Sequence, residues 1–200
     1  MTGTERRQQL LDVAKALFAE KGFDGTSIEE IAHRANVSKP VVYEHFGGKE
    51  GIYAVVVDRE THILLDRIVS SLHGGHPRVM LEQAAVALLG YVDESHDGFR
   101  ILVRDSPVAS ATGTFSTLLN DIASQVEHIL ANQFAARGYD VKLAPMYSQA
   151  LVGMVALTGQ WWLDARKPKQ DEVAAQLVNL AWNGLSHLEH KPTLRLDAES

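Results

Sequence analysis

The chain has 200 residues, 46% of them hydrophobic and 22% charged, with a net charge of −6 and no cysteine. That is enough for a real apolar core, and it excludes a disulfide framework, a thiolate metal site and a cysteine nucleophile. The acidity weighs against a general polyanion binder, yet residues 1–50 hold 7 Lys+Arg against 8 Asp+Glu, so −5 of the −6 lies beyond them.

The opening MTGTERRQQL has no apolar run after its charges, so no secretory signal is read there. The most apolar stretch, residues 150–163, is shorter than the roughly 20 residues that span a bilayer. The expected location is therefore the cytoplasm.

In chain order, almost every segment reads as helix. Leu10, Leu11, Ala14, Leu17 and Phe18 recur on one helical face, and Gly22 ends that helix. Thr26 and Glu29 then have the spacing of a capping box, ahead of the stripe Ile28, Ile31, Ala32 and Ala35. Ser38 stands where it can cap a third helix, with Pro40 in the first turn and Gly47 and Gly48 closing it. From Lys49 a longer helix runs to about residue 72 and breaks at HGGHP. Further helices are expected over about 79–95, 98–105, 113–137, 145–166 and 171–189, with a tail at 191–200. No segment alternates at period two, so the fold class is all-α. The organisation expected is a head over 1–50, a connecting helix over 49–72 and a second helical domain over 75–190.

The second and third helices, joined by RANV, have helix-turn-helix spacing. On a helical wheel Val42 and Phe46 of the third point inward, while Pro40, Val41 and Glu44, flanked by Lys39, Tyr43 and His45, point out. A short helix so anchored can present its outer residues to a major groove.

Gly22, Phe23, the run TSIEEIAHRANVSKPVVYEHFGGKE and the apolar helix after it resemble the DNA-binding domain of the TetR family of bacterial transcriptional repressors, over about residues 6–56. The resemblance implies that Tyr43 and Lys49 hold phosphates and that Thr26 does so from a helix N-terminus. Lys39, Pro40, Val41 and Glu44 become the base-facing set, His45 serves either role, and Ser38 starts the reading helix. Pro40 and Val41 suit a thymine methyl, and Glu44 suits cytosine N4. Gly48 and Gly51 make the start of the fourth helix looser than the family pattern. Double-stranded operator DNA is thus the implied partner, and the implied role is that of a repressor.

Beyond residue 75 the resemblance implies a helical domain that dimerises and holds a small effector. The segment 150–163 is apolar nearly all round, and the final helix is apolar over an arc of about 200°. One core cannot absorb both, so a two-fold four-helix interface is expected through Val155, Trp162, Val173, Leu177, Leu180, Ala181, Gly184 and Leu188. A homodimer in turn predicts a palindromic operator. The candidate pocket residues are Tyr91, Phe99, Val103, Phe115, Leu119, Leu151, Met154 and Trp161, suited to a largely apolar ligand, with Arg100, Arg104 or Gln160 as polar anchors.

No catalytic constellation is found: there is no GxSxG, phosphate-cradling loop or dinucleotide fingerprint. The pairs His73 with His76 and His187 with His190 lack the HExxH spacing, so no metal and no cofactor is expected. The other reading left open is an all-α ligand-binding or scaffolding protein without sequence-specific DNA binding. Tyr43 with Lys49 weighs against it, since that pair makes sense beside phosphates.

Overall fold

The computed structural model describes residues 2–104 and 115–194, without the side chain of Phe115. Among them every regular element is helical: α1 (Gly3–Lys21), α2 (Ile28–Arg34), α3 (Lys39–Phe46), α4 (Lys49–Ser71), α5 (Pro77–Glu94), α6 (His96–Val103), α7 (Phe115–Arg137), α8 (Ala144–Ala165) and α9 (Gln170–Ser186), with a 3-10 turn at Val141–Leu143. The expected boundaries agree to within about three residues. The ends at 105 and 113 of two expected helices, and residues 195–200 of the expected tail, lie outside the described residues.

The periodic residues of α1 are all buried, as the wheel requires. The start of α2 differs from expectation. Ser27 is the N-cap and accepts from the Glu30 amide at 3.2 Å, so the cap lies one residue later than the Thr26 and Glu29 pairing. Thr26 is buried and its Oγ1 donates to the Gly22 carbonyl at 2.8 Å, closing the α1–α2 loop from inside.

Gly47 ends α3 in the left-handed region at φ 74°, which favours glycine, and its amide reaches the Tyr43 carbonyl. Gly51 is not a loose position. A Cβ there would run into the Phe46 carbonyl oxygen, so this glycine lets α4 start hard against the end of α3.

The helix α4 ties the molecule together, packing on α1 and α3 at one end and on α5 along its length. Contacts from Glu60 to Ser95 and from Ser71 to Gln83 make α4 and α5 antiparallel. One apolar cluster runs from Leu10 in α1 through α4, α5 and α6 to Val178 in α9. A second gathers Leu130, Phe134 and Ala144, with Tyr139, Tyr147 and Leu188 against it. No described helix is long and apolar enough to cross a membrane.

Candidate DNA interface and ligand cavity

The turn between α2 and α3 is held by Asn36 at φ 54° and by the Val37 amide donating to the Ala32 carbonyl at 2.9 Å. It sets α3 down on buried Val42, leaving Lys39, Pro40 and Glu44 exposed and Tyr43 53% exposed. Ser38 is the N-cap, but its hydroxyl makes no cap bond and stays on the surface. Val41 and His45 are half-buried, and Val41 packs on the core beneath, which turns it from the fully outward place the wheel assigned.

Two contacts outside the helix-turn-helix steady it. Arg7 of α1 lies 4.4 Å from the Phe46 ring centroid and donates to the His45 carbonyl at 2.7 Å, clamping the end of α3. Lys49 donates to the Phe23 carbonyl at 3.0 Å with its Nζ 4.3 Å from the Phe23 ring centroid. Lys49 is thus folded onto the α1–α2 loop rather than extended outward. Lys39 pairs with Glu29, whose carboxyl it holds below the usual carboxylate range. Arg7 and Ser27 escaped the sequence reading. A Ser-x-x-Glu spacing at Ser27 and Glu30 was the available sign for the second, and nothing local marked the first.

A buried polar knot joins this head to the rest. Glu60 of α4, 1% exposed, accepts from the Tyr91 hydroxyl at 2.7 Å and from Ser95 Oγ at 3.2 Å, and pairs with Lys15 of α1 at 3.3 Å. Burial, and after it the Glu60 charge, push the Tyr91 hydroxyl far above its ordinary value. Gly98 of α6 closes over the knot, because a Cβ there would overlap the Glu60 carboxylate. Arg104 at the end of α6 donates to the Phe18 carbonyl at 3.3 Å.

A cavity of about 120 Å³ lies between α4, α5, α7, α8 and α9. Its closed end is formed by buried Leu88, Ile122 and Ala156, and its rim by exposed Val69 and Gln125. The walls are Leu65 and Ile68 of α4 with Leu72 just past its end, Met80 and Leu81 of α5, and Trp182 and Leu185 of α9, closed by α7 and α8.

Of the expected pocket residues, Leu119 and Leu151 line this cavity, as does Val155, which had been assigned to the dimer seam. Tyr91 and Phe99 do not, being fully buried in the knot and the core beside it. Val103 and Met154 pack on the core away from the cavity wall, and the Phe115 side chain lies outside the described residues. Arg100 is spent on Asp164 at the surface, Arg104 on Phe18, and Gln160 is exposed, so none of the three serves as an anchor.

The tryptophans are reversed from expectation. Trp162 is buried and donates to the Pro168 carbonyl at 2.8 Å, whereas Trp161 is 56% exposed. Val173, Leu177 and Ala181 are likewise buried in their own chain, and Leu188 packs in the second cluster. Of the expected dimer residues only Leu180, 65% exposed, and Gly184 face outward. They share the surface of α8 and α9 with Trp161 and with Leu157, also 65% exposed. The stretch 150–163 is therefore not buried on every side, because no described helix covers this face of α8.

Among the described residues no group of three or more His, Asp or Glu is placed to hold a metal ion. A head with an exposed reading helix, tied through α4 and α6 to a hollow helical body, is the architecture of a DNA-binding regulator. Residues 10–56 match the family described as bacterial regulatory proteins, tetR family, and residues 77–184 match the tetracyclin repressor-like C-terminal domain. The chain belongs to the TetR family of DNA-binding transcriptional regulators.

Over 195 residues it is 29% identical to the HTH-type transcriptional activator FasR of Mycolicibacterium smegmatis, covering 92% of this chain and 84% of that protein. Over 103 residues it is 27% identical to IcaR of Staphylococcus epidermidis, a biofilm operon HTH-type negative transcriptional regulator, covering 52% of this chain and 56% of that one. A TetR-like transcriptional regulator from Rhodococcus sp. RHA1 has a similar structure, with a TM-score of 0.77 at 26% identity over 92% of this chain and 97% of that chain.

Proposed function

We propose that this protein is a cytoplasmic, homodimeric repressor that holds a palindromic operator through two copies of α3 and is released by a small, largely apolar ligand. The observation that carries this reading is the double role of α4. It starts against the end of α3 through Gly51, and its far half walls the cavity with Leu65 and Ile68. A ligand that prefers one placement of that helix shifts the population of reading-helix placements by its difference in affinity for the two.

In the DNA-bound state Tyr43 and the α2 N-terminus at Ser27 meet phosphates, and Lys39, Pro40 and Glu44 meet base edges. Lys49 takes a phosphate only by leaving the Phe23 carbonyl. The exposed face formed by Leu157, Trp161, Leu180 and Gly184 is the proposed dimer seam, and a ring, two leucines and a glycine are apt for close two-fold packing. Repression is assigned because a dimer seated on its operator excludes polymerase by occupancy alone, with no activating contact required.

Selection of duplexes from a random pool by purified protein tests this. A palindrome should emerge, with affinity falling several-fold for Tyr43→Phe, as expected for one lost phosphate contact of about 1 kcal/mol. Recovery of no site above non-specific binding, from folded protein, would defeat the reading.

A further inference from the structure

The chemistry of the cavity narrows the ligand, granted the reading above that the cavity is the effector site. None of the described residues lining it is Lys, Arg, His, Asp or Glu. Besides the Trp182 indole, the polar side chains among the described lining residues are Gln125 at the rim and half-buried Gln133, two turns apart on α7 and about 12 Å along its axis. Neither carboxamide has a hydrogen-bond partner among the described residues.

Asp66, Asp121, Glu127 and His128 stand next to lining positions in sequence but do not themselves line the cavity, and the two neighbouring arginines are already engaged. Arg67 is held by Glu94 and Arg78 by Glu82. An ionised carboxylate or ammonium entering such a space loses its water without gaining a counter-charge, which disfavours its entry. A carboxamide, in contrast, both donates and accepts, and so matches a neutral carbonyl or hydroxyl.

We propose that the effector is an uncharged amphiphile, an alkyl chain ending in an ester, ketone or alcohol, whose polar group is held by Gln125 or Gln133, and that the cavity rejects the corresponding free carboxylate and amine. The apolar wall supplies affinity and the missing charge supplies selectivity.

Displacement of the fluorescent apolar dye N-phenyl-1-naphthylamine from the full chain tests this. The competitors are methyl decanoate and decanol against decanoate and decylamine, at a pH where the last two are ionised. The neutral pair should displace the dye at concentrations about tenfold lower or better, the ratio that corresponds to 1.4 kcal/mol. Gln125→Leu or Gln133→Leu, similar in size to the original, should weaken methyl decanoate several-fold while dye affinity holds. Decanoate or decylamine competing as well as the neutral pair overturns the proposal and leaves the effector cavity standing. Indifference of the ester to both glutamine variants also overturns it. Failure of the dye and every competitor to bind overturns the cavity as effector site, and this proposal with it.

Discussion

Glu60 is the residue whose environment is least like its type. A buried carboxylate is tolerated here because three partners meet it from α1 and α5, namely Lys15, Tyr91 and Ser95. Breaking such an arrangement by removing one partner leaves the others desolvated, so Glu60→Ala should cost about 3 kcal/mol in denaturant unfolding. Tyr91 adds a pH dependence. Its hydroxyl keeps its proton in the folded state well beyond the pH at which an unfolded tyrosine loses it. Its contribution is therefore complete below about pH 10 and is lost as pH rises above that, with a slope of about 1.4 kcal/mol per pH unit. Unfolding free energies across the alkaline range should decline more steeply in the wild type than in Tyr91→Phe; parallel curves would contradict the assignment.

Among the elements, the α3–α4 junction makes the sharpest statement. Gly51 sits in the first turn of α4, where helix propensity by itself favours alanine by about 1 kcal/mol. The blocked Cβ position against the Phe46 carbonyl reverses that sign, and Gly51→Ala is expected to destabilise by about 1–3 kcal/mol. It should also weaken operator binding, since relief of the clash tilts α3. A more stable Gly51→Ala protein would refute the steric account. The cap of α2 is milder: Ser27→Ala should cost about 1 kcal/mol, whereas the earlier pairing of Thr26 with Glu29 assigns that cost to Thr26.

For the whole molecule, an unshared apolar face and a shared core are the decisive features. Leu157, Trp161 and Leu180 are too large and too exposed to be incidental, and they lie on adjacent helices. If the proposed dimer forms through this face, Leu180→Glu should yield a monomer in sedimentation velocity, with unchanged helical content and operator affinity reduced about 100-fold or more, because half-site binding loses its second anchor. A variant that stays dimeric would move the interface elsewhere. One core continues from α1 to α9, so head and body share their packing, and the proposed release by a ligand beside α4 draws on that continuity.

Periodicity, caps and glycine breaks were local enough to read directly. They sufficed for an all-helical chain, for the helix-turn-helix with Val42 inside and Tyr43 outside, and for helix ends within about three residues. What they could not do was divide a broad apolar arc among three claimants, the chain's own core, a cavity and a partner. Trp161 and Trp162 are neighbours of one residue type, and Val155 and Leu157 are both ordinary aliphatics. Only the packing of α5 and α7 against α8 decides which of these is covered, which lines a hollow and which is left bare. The same holds for Lys15, Glu60 and Tyr91, scattered over 77 positions of the chain. Hydrophobic pattern is a property of one helix, whereas burial, cavities and charge pairing depend on which helices meet, and that is settled only when the tertiary structure forms.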